Sequence, residues 1–562
     1  MESRHNSTAS LDKPVGVVDT PRTCSEPTSL NVKQFTEGKT GKTEEEQWKP
    51  SRQVKLILVV QCIMCFVVGL DATILTSSLP NLAEVFKVDA IKAFWIASSF
   101  LLTSAVFQPP LAALADVFGR RIIYMLVVIL FTVGTVVCCA CINIAGMLAG
   151  RSIQGIGGGG VLTMNMIVLS DMVPLRQRAQ YQGYLQLVFA LGSNTAPIIG
   201  GAMIVNTTWR WLFLINLPFC ALGLASAPFV MRYHRAETTL RSQLSSIDWT
   251  GMSLYIISVT SFLAGMTWGG TQYPWGSAAT LCPLILGLAG LAGTILWEVF
   301  GAKKPFLRLG LFKSVSGIAV YICTVIMAFL IFGCVYYLVL YLIAIKSLSN
   351  VLAGVGALPF GLTVVPVSGI TGTIISKTGK YQWAIWAGWA IGTLGVGLLV
   401  YMHQHPSTVA WVFIFVVTGI GQGLQLIAHS AASQAIAETK DIAYASSMYA
   451  FCRSLGLCFG VSIGGTIFQN FLSSRLQHLG LPVAIAHNSE GYLSVLKAMA
   501  SGPEKDAIMG AYSWAFRMLF ATFTGISGAA FLLSFFIGLH SLDKKLESEH
   551  TLIHARPREE HI

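Results

Sequence analysis

The chain has 562 residues, is 54% hydrophobic and only 11% charged, and has a mean hydropathy of +0.65, whereas an average soluble protein is about 25% charged. Such a composition excludes a soluble protein. The net charge of +11 is no argument for nucleic acid, because the basic residues fall on one side of the expected membrane, where anionic lipid headgroups attract them.

Residues 1–53 are rich in Ser, Thr, Lys and Glu and have no apolar core, which predicts a disordered cytoplasmic tail without a cleavable signal peptide. Two GKT triplets, Gly38-Lys39-Thr40 and Gly41-Lys42-Thr43, lack the earlier glycine of a phosphate-binding loop: Lys33 and Thr36 stand in its place. No strand precedes them, so ATP-driven transport has no support and no cofactor is expected. All Cys except Cys24 lie inside or at the ends of apolar spans without a paired CxxC array, which predicts packing residues and no metal site.

From residue 54 to 539 the chain reads as fourteen apolar spans. They lie near 55–78, 93–115, 122–141, 145–171, 182–205, 210–231, 249–269, 278–300, 316–342, 350–373, 382–402, 409–435, 443–469 and 515–539. Segments of roughly 17–25 apolar residues cross a bilayer as helices, which satisfy their own backbone polar groups. The expected fold is therefore an all-α membrane protein. With the N-terminus cytoplasmic, the cytoplasmic loops hold fourteen basic residues: Arg120, Arg121, Arg176, Arg178, Arg232, Arg235, Arg241, Lys303, Lys304, Arg308, Lys313, Lys377, Lys380 and Lys440. The opposite short loops hold only Lys87, Lys92, Arg210 and Lys346. This asymmetry places both termini in the cytoplasm. The single sizeable external loop is expected at 470–514. The sequon at Asn206 is external but too near the membrane for glycosylation to be expected.

An internal repeat sets the domain plan. Ala112-Ala113-Leu114-Ala115-Asp116-Val117-Phe118-Gly119-Arg120-Arg121 after span two is echoed by Gly372 to Lys380 after span ten, and Gln154-Gly155 in span four by Gln422-Gly423 in span twelve. Two six-helix halves, 54–231 and 314–539, then flank a linker with two inserted helices at 232–313, and 540–562 is a cytoplasmic tail.

Charges at membrane depth cost about 2.5–3.5 kcal/mol each on insertion scales and require a reason. Asp71 in span one, Arg151 in span four and Arg453 in span thirteen are such charges. They suit either a buried ion pair or a carboxylate that takes up and releases a proton as its surroundings change. The Gly155 to Gly160 run satisfies GxGxxG but sits inside an apolar span, so it reads as close helix packing and not as a dinucleotide site. Span five carries Gly183, Gly192, Ala196-Pro197 and Gly200-Gly201, small residues that leave a groove for a neighbouring helix beside a proline that permits a kink. Gly456, Gly460 and Gly464 in span thirteen also read as packing.

At these residues the chain resembles the major facilitator superfamily, and within it the fourteen-span drug:proton antiporters. Leu70-Asp71-Ala72-Thr73-Ile74 through Leu79-Pro80 matches that group's first-helix motif, Asp116 to Arg121 the loop motif, Arg151 to Gly157 the fourth-helix motif, and span five the antiporter motif, with Ala196 where Gly is usual. Trp209 to Pro218 and Asp248-Trp249-Thr250-Gly251 resemble fungal members, many of which export toxins or other secondary metabolites. The resemblance implies that Asp71 and Arg151 couple protons, that Asp116, Gly119, Arg120 and Arg121 form a cytoplasmic latch, and that Pro197 with its small neighbours favours exchange.

The expected function is proton-driven export of a hydrophobic or amphipathic small molecule by alternating access, in a monomer of the plasma membrane. The cavity candidates are Gln108, Gln154, Asn165, Gln186, Asn194, Tyr337, Gln422, Gln425 and His429. The alternatives are a nutrient or siderophore carrier, a vacuolar carrier, and a non-transporting sensor of the same fold. No convergent nucleophile or metal set supports an enzyme, and His403 and His405 form only an isolated loop pair.

Overall fold

Polar N-caps start the long helices, because the first backbone amides of a helix have no partner of their own. In the computed structural model the side chains of Ser51, Asn143, Asp248, Ser314, Ser349 and Ser407 each accept a backbone N–H from the first helical turn that follows. The structure describes residues 49–544 apart from 76–77, 89, 232–238, 271, 403–406, 488, 490 and 501. The tail calls for 1–48 and 545–562, with Cys24 and the GKT triplets, lie outside the described residues, as do Arg232, Arg235, His403 and His405.

Span one is α1 (Arg52–Thr73), and span two is split into α2 (Ala90–Val106) and α3 (Gln108–Phe118). Spans three to six are α4 (Arg120–Ala140), α5 (Ile144–Met172), α6 (Leu175–Asn206) and α7 (Leu217–Val230). The inserted pair is α8 (Trp249–Trp268) and α9 (Ala278–Leu296). The remaining helices are α10 (Val315–Ala344), α11 (Asn350–Thr378), α12 (Gln382–Leu399), α13 (Thr408–Ile436), α14 (Ile442–His478) and α15 (Pro503–Ser534). Among the described residues twelve helices are individually long and apolar enough to cross a membrane, and the bent α2–α3 pair makes thirteen. The 18-residue α12 occupies the place of span eleven. Among the described residues the fold is helical, with a lone bridge between Gly269 and Tyr273.

One sequence expectation is refined and another corrected here. Span two is not one straight helix: Pro109 and Pro110 begin α3, and the axis bends by 45° at Phe107, since proline supplies no amide to the preceding turn. The loop expected at 470–514 is much shorter, because α14 continues to His478, α15 begins at Pro503, and short helices at Ala484–His487 and Tyr492–Ala498 fill the interval. Hydropathy marks where a helix leaves the apolar layer, whereas the helix itself goes on into the polar region. The two extensions are tied together by Phe471 against Trp514 and by Arg475 over the Trp514 ring.

The packing repeats. In α1–α7 the close pairs are α1 with α6, α4 with α5, and α2 with α5; in α10–α15 the corresponding pairs are α10 with α14, α12 with α13, and α11 with α13. The two sets meet where α6 lies along α11 and where α14 lies along α2, α3 and α5. The inserted helix α8 covers the α2–α14 seam. Tyr255 packs on Phe306 and Phe451, Phe262 packs on Phe459, and Val106, Val259 and Leu263 complete the cluster. The ends of α3, α5 and α11, the segment after α9 and the start of α14 are joined by Arg120 to Asp171, Arg308 to Asp116 and Asp441, and Arg176 to Ser376; this end of the bundle is called the basic end below.

Candidate coupling site and gate

Asp71 lies in the last turn of α1 and is fully buried, as is Arg151 of α5. Arg151 Nη1 donates to Asp71 Oδ2 at 2.6 Å and to Gln154 Oε1 at 2.7 Å. Gln154 Nε2 donates to Asp71 Oδ1 at 2.9 Å and to Thr135 Oγ1 at 2.9 Å, and Asn216 Nδ2 donates to Asp71 Oδ1 at 2.8 Å. The guanidinium also donates through Nε to Ile96 O at 3.0 Å and stands 4.5 Å over the Phe100 ring. Three donors, two from α5 and one from the residue that begins α7, thus converge on one carboxylate. A buried ion pair is tolerated when its remaining lone pairs and protons are satisfied, and that condition is met here. The spacing of Arg151 and Gln154 by three residues puts both on one helical face. Gln154, expected in a substrate cavity, is instead committed to this cluster.

The expected latch residues assemble at the basic end. Gly119 has a φ of 91°, a backbone region open to glycine, and it turns the chain from α3 directly into α4. Arg120 is 4% exposed and binds both Asp116 (2.5 Å) and Asp171 of α5 (2.9 Å). Asp116 also receives Arg308 at 3.2 Å, and Arg308 pairs with Asp441 before α14. Arg308 therefore links the first helix set to the second. Arg121 is exposed. Further bonds between the sets run from Arg176 Nε to Ser376 O, from Arg178 Nη1 to Gln434 Oε1, and from Ser430 Oγ to Gln182 Oε1. Arg120 and Arg178 are buried. The expectation that basic-end cations serve lipid headgroups is thus corrected for these two, which are consumed inside the protein.

The span-five residues divide between two interfaces. A Cβ on Gly192 would stand 2.3 Å from Phe66 O, and one on Gly69 would stand 2.2 Å from Phe189 O, so α1 and α6 approach backbone to backbone. On the other side Gly183 faces Gly369, and a Cβ on Gly372 of α11 would stand 2.3 Å from Ala179 O. Pro197 lies inside α6 without ending it, Ala196 and Gly200 are buried, and Gly201 is half-buried. Asn206 closes α6, exposed, with its Nδ2 donating to Ala202 O.

The other candidates scatter. Gln108 donates to Ser454 Oγ at 2.8 Å across the α3–α14 contact, Arg453 donates to Gln186 Oε1 at 2.9 Å, and Asn194 faces Gly361. Those three lie between the helix sets. Asn165 is tied to Cys65, and Tyr337 is packed against Phe468 and Phe523. Gln422 and Gln425 are fully buried with amides that meet no partner among the described residues. His429 is held between Trp389 Nε1 and Gln425 O. The glycines of α14 pack on α10, as expected: Gly456 meets Val325 O and Gly464 meets the Tyr337 ring.

Sequence reasoning missed Thr135, Asn216 and Phe100 around Asp71, and Asp171, Arg308 and Asp441 in the ion-pair cluster at the basic end. A signal existed for Asn216, an amide just before Pro218 in an apolar segment. None marked Thr135.

The family model described as Major Facilitator Superfamily matches residues 62–461. The chain is 36% identical over 508 residues to "MFS transporter L2" of Phoma sp. (strain ATCC 20986 / MF5453), covering 90% of this chain and 85% of that one. It is 32% identical to "MFS efflux transporter aclA" of Aspergillus oryzae (strain ATCC 42149 / RIB 40), covering 88% and 90%. It is 30% identical to "Efflux pump FUS6" of Gibberella moniliformis (strain M3125 / FGSC 7600), covering 92% and 94%. The solved structure of the human organic anion transporter MFSD10 superposes with a TM-score of 0.58 at 14% identity, covering 86% of this chain and all of that one; this likeness concerns the fold. With a multi-pass helical body, a family model over most of its length and transporter relatives along nearly all of it, the chain belongs to the Major Facilitator Superfamily.

Proposed function

We propose that the chain is a fourteen-span exporter that exchanges protons for a hydrophobic or amphipathic small molecule, with the basic end and both termini on the cytoplasmic side. The observation that carries this reading is the buried Asp71 cluster, a titratable carboxylate neutralised by Arg151 and bounded by neutral donors. A proton arriving at Asp71 would cancel its charge and release Arg151, so the cluster has two states of different shape and charge. The bonds across the basic end hold the described conformation closed toward the cytoplasm. Residues 54–231 and 314–539 then act as the rocking halves, and α6, shared between α1 and α11, is the surface along which they move. Gln108, Gln186 and Asn194 lie between the halves, and Gln422 and Gln425 offer unspent amides on the second half. Names of relatives that include "efflux" support the outward direction, and the plasma membrane is the site that export requires.

One proton moving down about one pH unit supplies about 1.4 kcal/mol, and about 100 mV adds about 2.3 kcal/mol per charge. Together they sustain a gradient of roughly 500-fold for a neutral cargo. The test is the purified chain in liposomes with an imposed pH gradient and a panel of hydrophobic dyes. Dye movement that follows the gradient in wild type and stops in Asp71→Asn is expected. Movement that ignores the gradient, or persists unchanged in the variant, overturns the coupling.

A further inference from the structure

The inserted helices carry a second carboxylate cluster, separate from Asp71. The end of α9 passes into a π-helical turn, Trp297–Gly301, a distortion that often marks functional positions. It turns Glu298 inward, where the residue is 5% exposed. Glu298 Oε2 accepts a long bond from Leu307 N at 3.3 Å with the Phe306 amide beside it, and Oε1 has no hydrogen-bond partner among the described residues. Facing it is Asp248, the N-cap of α8, whose Oδ1 accepts from Gly251 N at 2.9 Å and whose Oδ2 accepts from Trp297 Nε1 at 2.9 Å. A Cβ on Gly251 would stand 2.3 Å from Asp248 Oδ2 and 2.8 Å from Glu298 Oε1. The two oxygens are therefore no more than about 5 Å apart, a range in which like charges oppose one another's ionisation.

The two carboxyls differ in surroundings. Asp248 sits at a helix N-terminus, where it caps the first turn and accepts from two donors. Glu298 sits at a helix C-terminus, where the helix dipole opposes a negative charge, and it is buried with an empty oxygen. The groups around it are Asp248 from α8, the Tyr444 hydroxyl from α14 and, beyond Tyr444, Arg308 and Asp116. Two carboxylates form too small a set for a metal, and no group of three or more ligands occurs among the described residues.

We propose that Glu298 is a proton-binding site, holding a proton on Oε1 beside the Asp248 carboxyl, through which the inserted helix pair reads pH at the basic end. The proton comes from and returns to water at that end, and no other bond changes. Its mechanical outlet is short. Leu307, which donates to Glu298, precedes Arg308, the residue that joins Asp116 to Asp441. Charging Glu298 places a second anion beside Asp248 and alters the pull on the backbone that positions this bridge. The site is independent of the coupling role given to Asp71.

The test uses full-length protein in lipid nanodiscs, with infrared difference spectra recorded as pH is stepped through the neutral range. Wild type should show a protonated carboxyl band that disappears as pH rises, absent in Glu298→Gln and retained in Asp71→Asn. Asp248→Asn should move its disappearance to lower pH by roughly one unit, because a neighbouring negative charge has been removed. Hydrogen exchange at 306–309, corrected for intrinsic rates, should follow the same midpoint in wild type and lose its pH response in Glu298→Gln. A band that survives in Glu298→Gln, or one that responds to added Na⁺ or Ca²⁺ at constant pH, overturns the proposal. No readout requires transport, so this result and that for Asp71 are separable.

Discussion

Replacing Asp71 by Asn should destabilise the protein by an amount that a second substitution gives back. In the wild-type cluster the Asp71 carboxylate balances Arg151, while Gln154 and Asn216 fill its other oxygen. Asparagine has one acceptor oxygen, and keeping it on the donors Gln154 and Asn216 turns its N–H toward the guanidinium 2.6 Å away. Arg151 then retains only Gln154, Ile96 O and the Phe100 ring. Stranding one charge of a buried pair costs about 3–5 kcal/mol, whereas replacing both charges by neutral groups is often neutral or stabilising. Asp71→Asn is therefore expected to lose about 3 kcal/mol, and Asp71→Asn with Arg151→Gln to recover most of it. The assay is reversible unfolding of the detergent-solubilised protein, run as a double-mutant cycle beside transport in liposomes. Both variants should fail to couple protons, but only the single one should be markedly less stable. A single variant within about 0.5 kcal/mol of wild type, or a double variant no better than the worse single, would refute the reasoning.

Gly192→Ala should cost about 1–3 kcal/mol, because the new methyl meets the Phe66 carbonyl and not a movable side chain; thermal unfolding measures it, and Ala196→Gly on the same helix should be tolerated for transport. Asp116→Asn removes the anion shared by Arg120 and Arg308, and should shift spin-label distances at the basic end toward the open form while leaving intrinsic cargo affinity unchanged. Its effect on stability should be no more than about 1 kcal/mol, as the carboxylate is partly solvated. Asn206→Gln should leave the electrophoretic mobility of protein expressed in a glycosylating host unchanged; a faster band would show that the sequon is used.

The helices could be read from the chain because a bilayer demands the same thing of every span, a long apolar run, and thirteen of the expected positions meet that test in the structure. The departures have local physics behind them: Gln382 and three tryptophans lower the hydropathy of the short α12, prolines break span two, and polar extensions carry α14 and α15 beyond the apolar layer. Asp71 and Arg151 stood out because a charge in an apolar span is rare. Thr135 and Asn216 did not, since a neutral polar group in a helix can bond its own backbone and needs no explanation. Arg308 was counted among loop cations, and only the fold brings residues 116 and 441 to it. The small residues of span five announced close packing, but one interface was expected where the structure has two.

The bonds named between the two helix sets cluster at the basic end or near mid-depth, while farther along the same helices α6 carries Ile198, Ile199 and Ile204, and α11 begins with Leu352 and Val355. In the proposed alternating-access cycle, opening the basic end therefore exposes polar groups to water. Exposing polar groups and burying apolar surface both lower the heat capacity, and apolar contact gains strength on warming from low temperature. The resting balance should accordingly depend on temperature: cooling holds the basic end shut, and warming moves the population toward the other state.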